Sequence, residues 1–273
     1  MNFYHVVLRA CDRVGAASGL PRPYGLEKDE IVRACFRSLL VALKDFPHRI
    51  TVLGDSLSEE NRRFFTEHDV DLQEGTFGNG PSFRRCVEIA MDGPPDDWVY
   101  LLEDDYLHVP HAFSAIDALL NERKEVLSFR PRSRLARLLR RRQWQRGLEE
   151  RPLVIFPPDY PDRYALYERE PWIVFLSSRS HWRQVANTTL TLLTQRRTIV
   201  QHQDLLMRVS AGADDAMLSR ELYGREGFRE RALCLSPLPG LTTHLHEGTA
   251  TPLVDWEAVL RPYLDDPSRD DPA

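Results

Sequence analysis

The chain has 273 residues, enough for one large α/β domain or two small ones, and its 42% hydrophobic and 28% charged content is ordinary for a soluble globular protein. A formal net charge of −5 gives no reason to expect specific nucleic-acid binding, and no apolar run nears the roughly 20 residues of a membrane span. Cys11, Cys35, Cys86 and Cys234 show no C-x-x-C spacing, and no basic region with an apolar core opens the chain, so the expectation is a cytoplasmic protein with reduced thiols.

Residues 3–10, F-Y-H-V-V-L-R-A, read as a strand, and 11–25 as a Gly/Pro/Ser-containing loop. Within 27–46, Ile31, Cys35, Leu39 and Leu43 recur at helical spacing beside Val32, Phe36 and Leu40, and Pro47 ends the stripe. A second strand is expected at 49–53, closed by Gly54-Asp55-Ser56, then a helix at 58–68 and a short strand at 70–72. A turn at 78–82 opens a helix at 83–91. Residues 97–102 then form a buried strand that runs into Glu103, Asp104 and Asp105. Strand and helix alternating in this way predict a mainly parallel sheet.

The second half is less regular. A helix is expected at 110–120. Residues 130–151, bounded by Arg130 and Arg151, hold nine arginines interleaved with Leu135, Leu138, Leu139, Trp144 and Leu148. That pattern suits an amphipathic helix on an anionic membrane surface, and equally a solvated helix packed on its leucines. Strands are expected at 153–156 and 172–176, a Pro/Tyr/Asp loop at 157–164, a Thr-rich stretch within 182–193, a helix at 214–223 and a disordered acidic tail at 265–273.

Three consecutive carboxylates at the end of a buried strand call for a cation, and open α/β sheets bind ligands at the carboxyl ends of their strands. Taken alone, the same residues could form an acidic solvated turn. Downstream, Asp214 and Asp215 precede A-M-L-S-R-E-L, where they could cap a helix or place a base at its N-terminus. His244 and His246, spaced i, i+2 in T-H-L-H-E, point the same way if extended.

Together these features resemble the nucleotide-binding half of a GT-A glycosyltransferase, with E-D-D as a form of the D-x-D motif. Residues 212–222 resemble the E-D-x-x-L-x-x-R-L stretch of inverting family 2 enzymes. The resemblance implies an α/β fold with a mixed, mainly parallel sheet flanked by helices in one domain. Residues 1–120 would bind the nucleotide sugar; 121–264 would bind the acceptor and complete catalysis, with an Arg-rich insertion at 130–151.

The resemblance further implies that Asp105 coordinates Mn²⁺ or Mg²⁺ and that His244 or His246 completes the site, which would favour manganese. Glu103 and Asp104 would face the ribose and sugar, and Asp215, beside Asp214, would be the catalytic base. Asp55 would contact the base of UDP, and Arg84 and Arg85 would approach the diphosphate. Arg9 replaces the residues usual in family 2, and Trp182 with Trp172, Thr188 and Thr189 could line an acceptor pocket or the core. The expected partners are a nucleotide-sugar donor, UDP-linked, and a carbohydrate or other hydroxyl acceptor. A sugar nucleotidyltransferase is an alternative, although residues 13–19 are a poor version of its Gly-rich loop. A non-catalytic binding protein of the same fold is another.

Overall fold

The structure, a computed structural model, describes residues 1–12, 23–128, 148–164, 173–225 and 230–265. The expected Arg-rich helix, apart from residues 148–151, lies outside them, as do Trp172, the loop at 13–19 and the tail beyond residue 265.

The first half follows the sequence pattern. Strand β1 (Tyr4–Ala10) leads to α1 (Lys28–Leu43), β2 (His48–Asp55), α2 (Glu59–Thr66), β3 (Asp71–Gly75), α3 (Asn79–Ala90) and β4 (Trp98–Glu103). Strands β3, β2, β1 and β4 lie side by side in that order, all parallel. The V-V-L run of β1 is buried on both faces, as a central parallel strand must be. Tyr4, Val6 and Leu8 pack with Ile31, Phe36 and Leu39 of α1, while Val7 faces Phe83, Val87 and Ala90 of α3 on the other side. Helix α2 is capped by Ser58, whose Oγ accepts from the Asn61 amide at 3.2 Å. Helix α3 starts at Asn79, ahead of the expected Phe83. Gly78, at φ 80°, supplies a left-handed entry, and Pro81 fits the first turn.

Beyond β4 come β5 (Tyr106–His108), α4 (Ala112–Asn121), α5 (Arg123–Leu127), β6 (Leu153–Ile155), β7 (Val174–Leu176), β8 (His181–Gln184) and β9 (Leu192–Gln195). Next are α6 (Arg196–Gln201), α7 (Gln203–Ser210), α8 (Asp215–Tyr223), β10 (Leu233–Leu238), β11 (Thr242–His244) and α9 (Trp256–Leu260). Strand β9 pairs antiparallel with β4 and carries the sheet on through β6, β10, β8 and β7, giving nine strands among the described residues. One mixed, mainly parallel-cored sheet flanked by helices on both faces therefore runs continuously across residue 120. A two-stranded sheet, β11 against β5, stands apart from it.

The elements that the sequence pattern missed are mostly short or interrupted. β5 and β11 have three residues each, too few for a period to register. Pro237 masks β10, yet it falls past the ladder with β6, which covers only Leu233, Cys234 and Leu235.

Candidate active site

The carboxyl end of β4 is built by register. Arg9 and Glu103 are direct neighbours on β1 and β4 and so project to the same face. Arg9 Nη2 donates to Glu103 Oε1 at 2.5 Å, while its Nη1 donates to the Asn79 carbonyl at 2.9 Å and to Asn79 Oδ1 at 2.5 Å. Thr191 Oγ1 donates to Glu103 Oε2 at 3.2 Å and accepts from the Glu103 amide at 3.2 Å. Glu103 and Arg9 thus neutralise one another.

The next two acids are buried and differ in company. Asp104 accepts from the Cys11 amide at 2.6 Å and from Lys28 Nζ at 2.5 Å. Asp105 Oδ2 faces Lys28 Nζ at 3.3 Å and His246 Nε2 at 3.1 Å, and Asp105 Oδ1 lies 3.1 Å from His244 Nε2. Burial pushes the Asp104 carboxyl up. Burial acts likewise on Asp105, but Lys28 and His244 outweigh it and hold that carboxyl well below the usual range. Burial alone would lower Lys28, yet the two carboxylates raise it above an ordinary lysine. Asp105 is the anionic centre of the cluster.

The small sheet brings the histidines there. β11 runs antiparallel to β5 with His244 opposite Tyr106, and the Leu245 amide donates to the Asp105 carbonyl at 2.8 Å. The His246 amide then closes a tight turn on the His244 carbonyl at 2.9 Å, leaving the two rings 4.2 Å apart. Leu245 between them is buried in the core. His244 also stacks on Tyr106 at 4.9 Å, and the Tyr106 hydroxyl bonds that of Tyr160 at 2.6 Å and Thr189 Oγ1 at 2.9 Å.

The donor set fits a divalent cation. The ligand atoms of Asp105, His244 and His246 all lie within 4.8 Å of one another. Two donors about 2.1 Å from one ion, near right angles, are themselves about 3 Å apart. Asp105 Oδ1 is buried with no hydrogen-bond partner among the described residues, despite its closeness to His244, so it keeps a lone pair to offer. Two imidazoles with one carboxylate suit manganese or a similar transition metal better than magnesium.

Asp214 and Asp215 differ in their contacts. Asp214 caps α8, its Oδ1 accepting from the Met217 amide at 2.9 Å. Asp215 occupies the first helical position and is exposed on its outer side. Partial enclosure raises its carboxyl, with Asp214 and Glu103 adding to the rise.

The other expected site residues have their own contacts. Asp55 spends both oxygens on backbone amides, Phe77 at 2.8 Å and Gly78 at 2.7 Å, and so clamps the loop before α3. Arg84 and Arg85 lie exposed on α3, each paired with Glu88. Trp182, weighed for the acceptor pocket, is a core side chain: it is fully buried, with Nε1 donating to Ser177 Oγ at 3.0 Å. Lys28, Thr191 and the Tyr106–Tyr160 pair were not foreseen. For Lys28 a signal existed, since it is one of three lysines among 36 basic residues.

No family model matches the chain, and no curated protein matches it. Among solved structures, it is similar to a galactosyltransferase, LgtC, in complex with donor and acceptor sugar analogues, at 11% identity over 79% of this chain and 69% of that one, with a TM-score of 0.37. It is also similar to residues 1–349 of TarS from S. aureus, at 12% identity over 96% and 64% of the two chains (TM-score 0.47). A nucleotidyl transferase from Methanothermobacter thermautotroptrophicus gives 12% identity over 86% and 87%, with a TM-score of 0.43.

Proposed function

We propose that the protein is a divalent-cation-dependent glycosyltransferase that moves a sugar from a UDP-linked donor to an acceptor hydroxyl with inversion. The observation that carries the proposal is the meeting of Asp105, His244 and His246 at the carboxyl end of β4. Asp105, His244 and His246 would hold Mn²⁺, which when bound neutralises charge on the diphosphate leaving group.

The remaining chemistry falls to side chains. Asp215 takes the proton of the acceptor hydroxyl as its oxygen bonds the anomeric carbon, and the bond from that carbon to the diphosphate breaks. The proton ends on Asp215, and the nucleoside diphosphate leaves. Asp215 suits this task because it is open to solvent on one side and its carboxyl is more basic than usual. The Arg9–Glu103 pair forms the wall facing the sugar, and residues 121–264 receive the acceptor.

The test is incubation with Mn²⁺ and a panel of UDP, GDP and dTDP sugars, measuring nucleoside diphosphate release, repeated with Asp105→Ala and Asp215→Asn. Release abolished by both changes is expected. Pyrophosphate or a nucleoside monophosphate as the product would assign nucleotidyl transfer instead. Release indifferent to both substitutions would sink the glycosyltransferase assignment, and a non-catalytic binding protein would give no release from any donor.

A further inference from the structure

Lys28 stands where a cation-binding site should repel it. It occupies the first position of α1, where the helix dipole disfavours positive charge. What holds it there is the acid pair, with Nζ 2.5 Å from Asp104 Oδ1 and 3.3 Å from Asp105 Oδ2. Asp105 Oδ2 is the same oxygen that faces His246 Nε2. An ammonium group and a divalent ion cannot share that carboxylate without strong like-charge repulsion.

The neighbouring charges among the described residues offer no relief. Arg9 is already matched by Glu103 at 2.5 Å, and the Cys35 thiol and the Tyr106 and Tyr160 hydroxyls are buried and pushed up by burial, so they stay neutral. The side-chain type matters too. Elsewhere the chain builds its ion pairs largely with arginine, whose planar fork locks into place, whereas lysine is a compact charge on a flexible stem.

We propose that Lys28 is the resident counter-ion of this site. It holds Asp104 and Asp105 in the metal-free protein, opposes cation binding there, and swings off Asp105 when the ion arrives. The inference rests on reading Asp105, His244 and His246 as a cation site. It adds that the free protein takes the ion weakly, and that an anionic diphosphate, by giving the displaced amine a new partner, makes ion and nucleotide bind together.

The experiment measures Mn²⁺ binding to nucleotide-free protein by the electron paramagnetic resonance signal of the unbound ion. Lys28→Gln keeps a hydrogen-bond donor for Asp104 but removes the charge, and should tighten binding about tenfold or more. Lys28→Arg keeps the charge in a fork that holds the carboxylates more firmly, and should weaken binding or leave it unchanged, never tighten it. A second measurement uses the unaltered protein. Acylation of its three lysines, read by mass spectrometry, should rise several-fold at Lys28 on adding Mn²⁺, with exposed Lys44 and Lys124 unchanged.

Equal or weaker binding by Lys28→Gln would overturn the inference while leaving the cation site intact. So would Lys28 acylation that stays constant or falls with Mn²⁺. If neither the unaltered protein nor any variant depletes free Mn²⁺, the cation site itself is refuted, and the inference with it.

Discussion

The amide of Leu245 donates to the carbonyl of Asp105 across 2.8 Å, so the backbone of a late strand grips the backbone of an early turn where their side chains must meet. His244 and His246 flank that bond, and each places Nε2 3.1 Å from a different oxygen of Asp105. Both histidines should therefore matter to metal binding. Replacing either with Ala is expected to weaken Mn²⁺ at least about tenfold in a titration and to remove the rise in melting temperature that the ion gives the unaltered protein. A loss confined to one of them would mean that a single imidazole ligates.

Asp214 and Asp215 are adjacent in sequence, and the proposed reaction gives them different duties. Asp215→Asn should cut turnover by roughly 10²–10⁴ and leave Mn²⁺ and UDP binding unchanged. Because Asp215 is raised above the ordinary carboxylate, the acid limb of the rate profile should lie higher than a solvated aspartate would place it. Asp214→Ala removes a helix cap and should cost about 1 kcal/mol of stability, and the acid limb of the rate profile should move down, because Asp214 adds to the rise of the Asp215 carboxyl.

His5 and His108 are buried and neutral, each lowered by burial to about 3. His5 Nδ1 accepts from Arg49 at 3.1 Å and Arg196 at 3.0 Å, which further opposes its protonation. Unfolded, both return to about 6.5, so between 3 and 6.5 the unfolded chain holds more protons and stability rises with pH. Denaturant unfolding at pH 6.5 and pH 5 should show a loss of about 2 kcal/mol for each group on acidification. His5→Gln and His108→Gln should each flatten that slope, and an unchanged slope would show that the group is not buried neutral.

Gly80 lies where α3 crosses α7. A Cβ there would come within 2.3 Å of the Ser210 carbonyl oxygen, which belongs to backbone and cannot rotate away. Gly80→Ala should destabilise the protein by about 1–3 kcal/mol in chemical denaturation. An alanine tolerated without loss would mean that the two helices slide apart easily.

The parallel half of the fold was legible because its strands are continuous apolar runs and its helices carry a full 3.6-residue stripe, as in β1 and α1. The acidic strand end was legible for the same reason, since W-V-Y-L-L cannot end in E-D-D without consequence. Pairing was not. Nothing local in Y-L-H or T-T-H says that three-residue strands will meet, yet that meeting sets His244 beside Tyr106. Lys28 escaped notice because a lysine among Glu27, Asp29 and Glu30 reads as solvated helix surface. Its partners lie 76 and 77 residues away, beyond the reach of any periodicity.

Asp105 and His246 are separated by 141 residues of chain. At a synthesis rate of roughly 5–20 residues per second, a ribosome takes on the order of ten seconds to travel between them. Throughout that interval Glu103, Asp104 and Asp105 have been made, and so have Arg9 and Lys28, the arginine and lysine that pair with them among the described residues. A nascent chain can hence neutralise its acids early but cannot present the three-ligand set until residues 242–246 have docked. Capture of the ion would mark a chain whose late strand is in place, making joint binding of Mn²⁺ and nucleotide a reporter of completed folding.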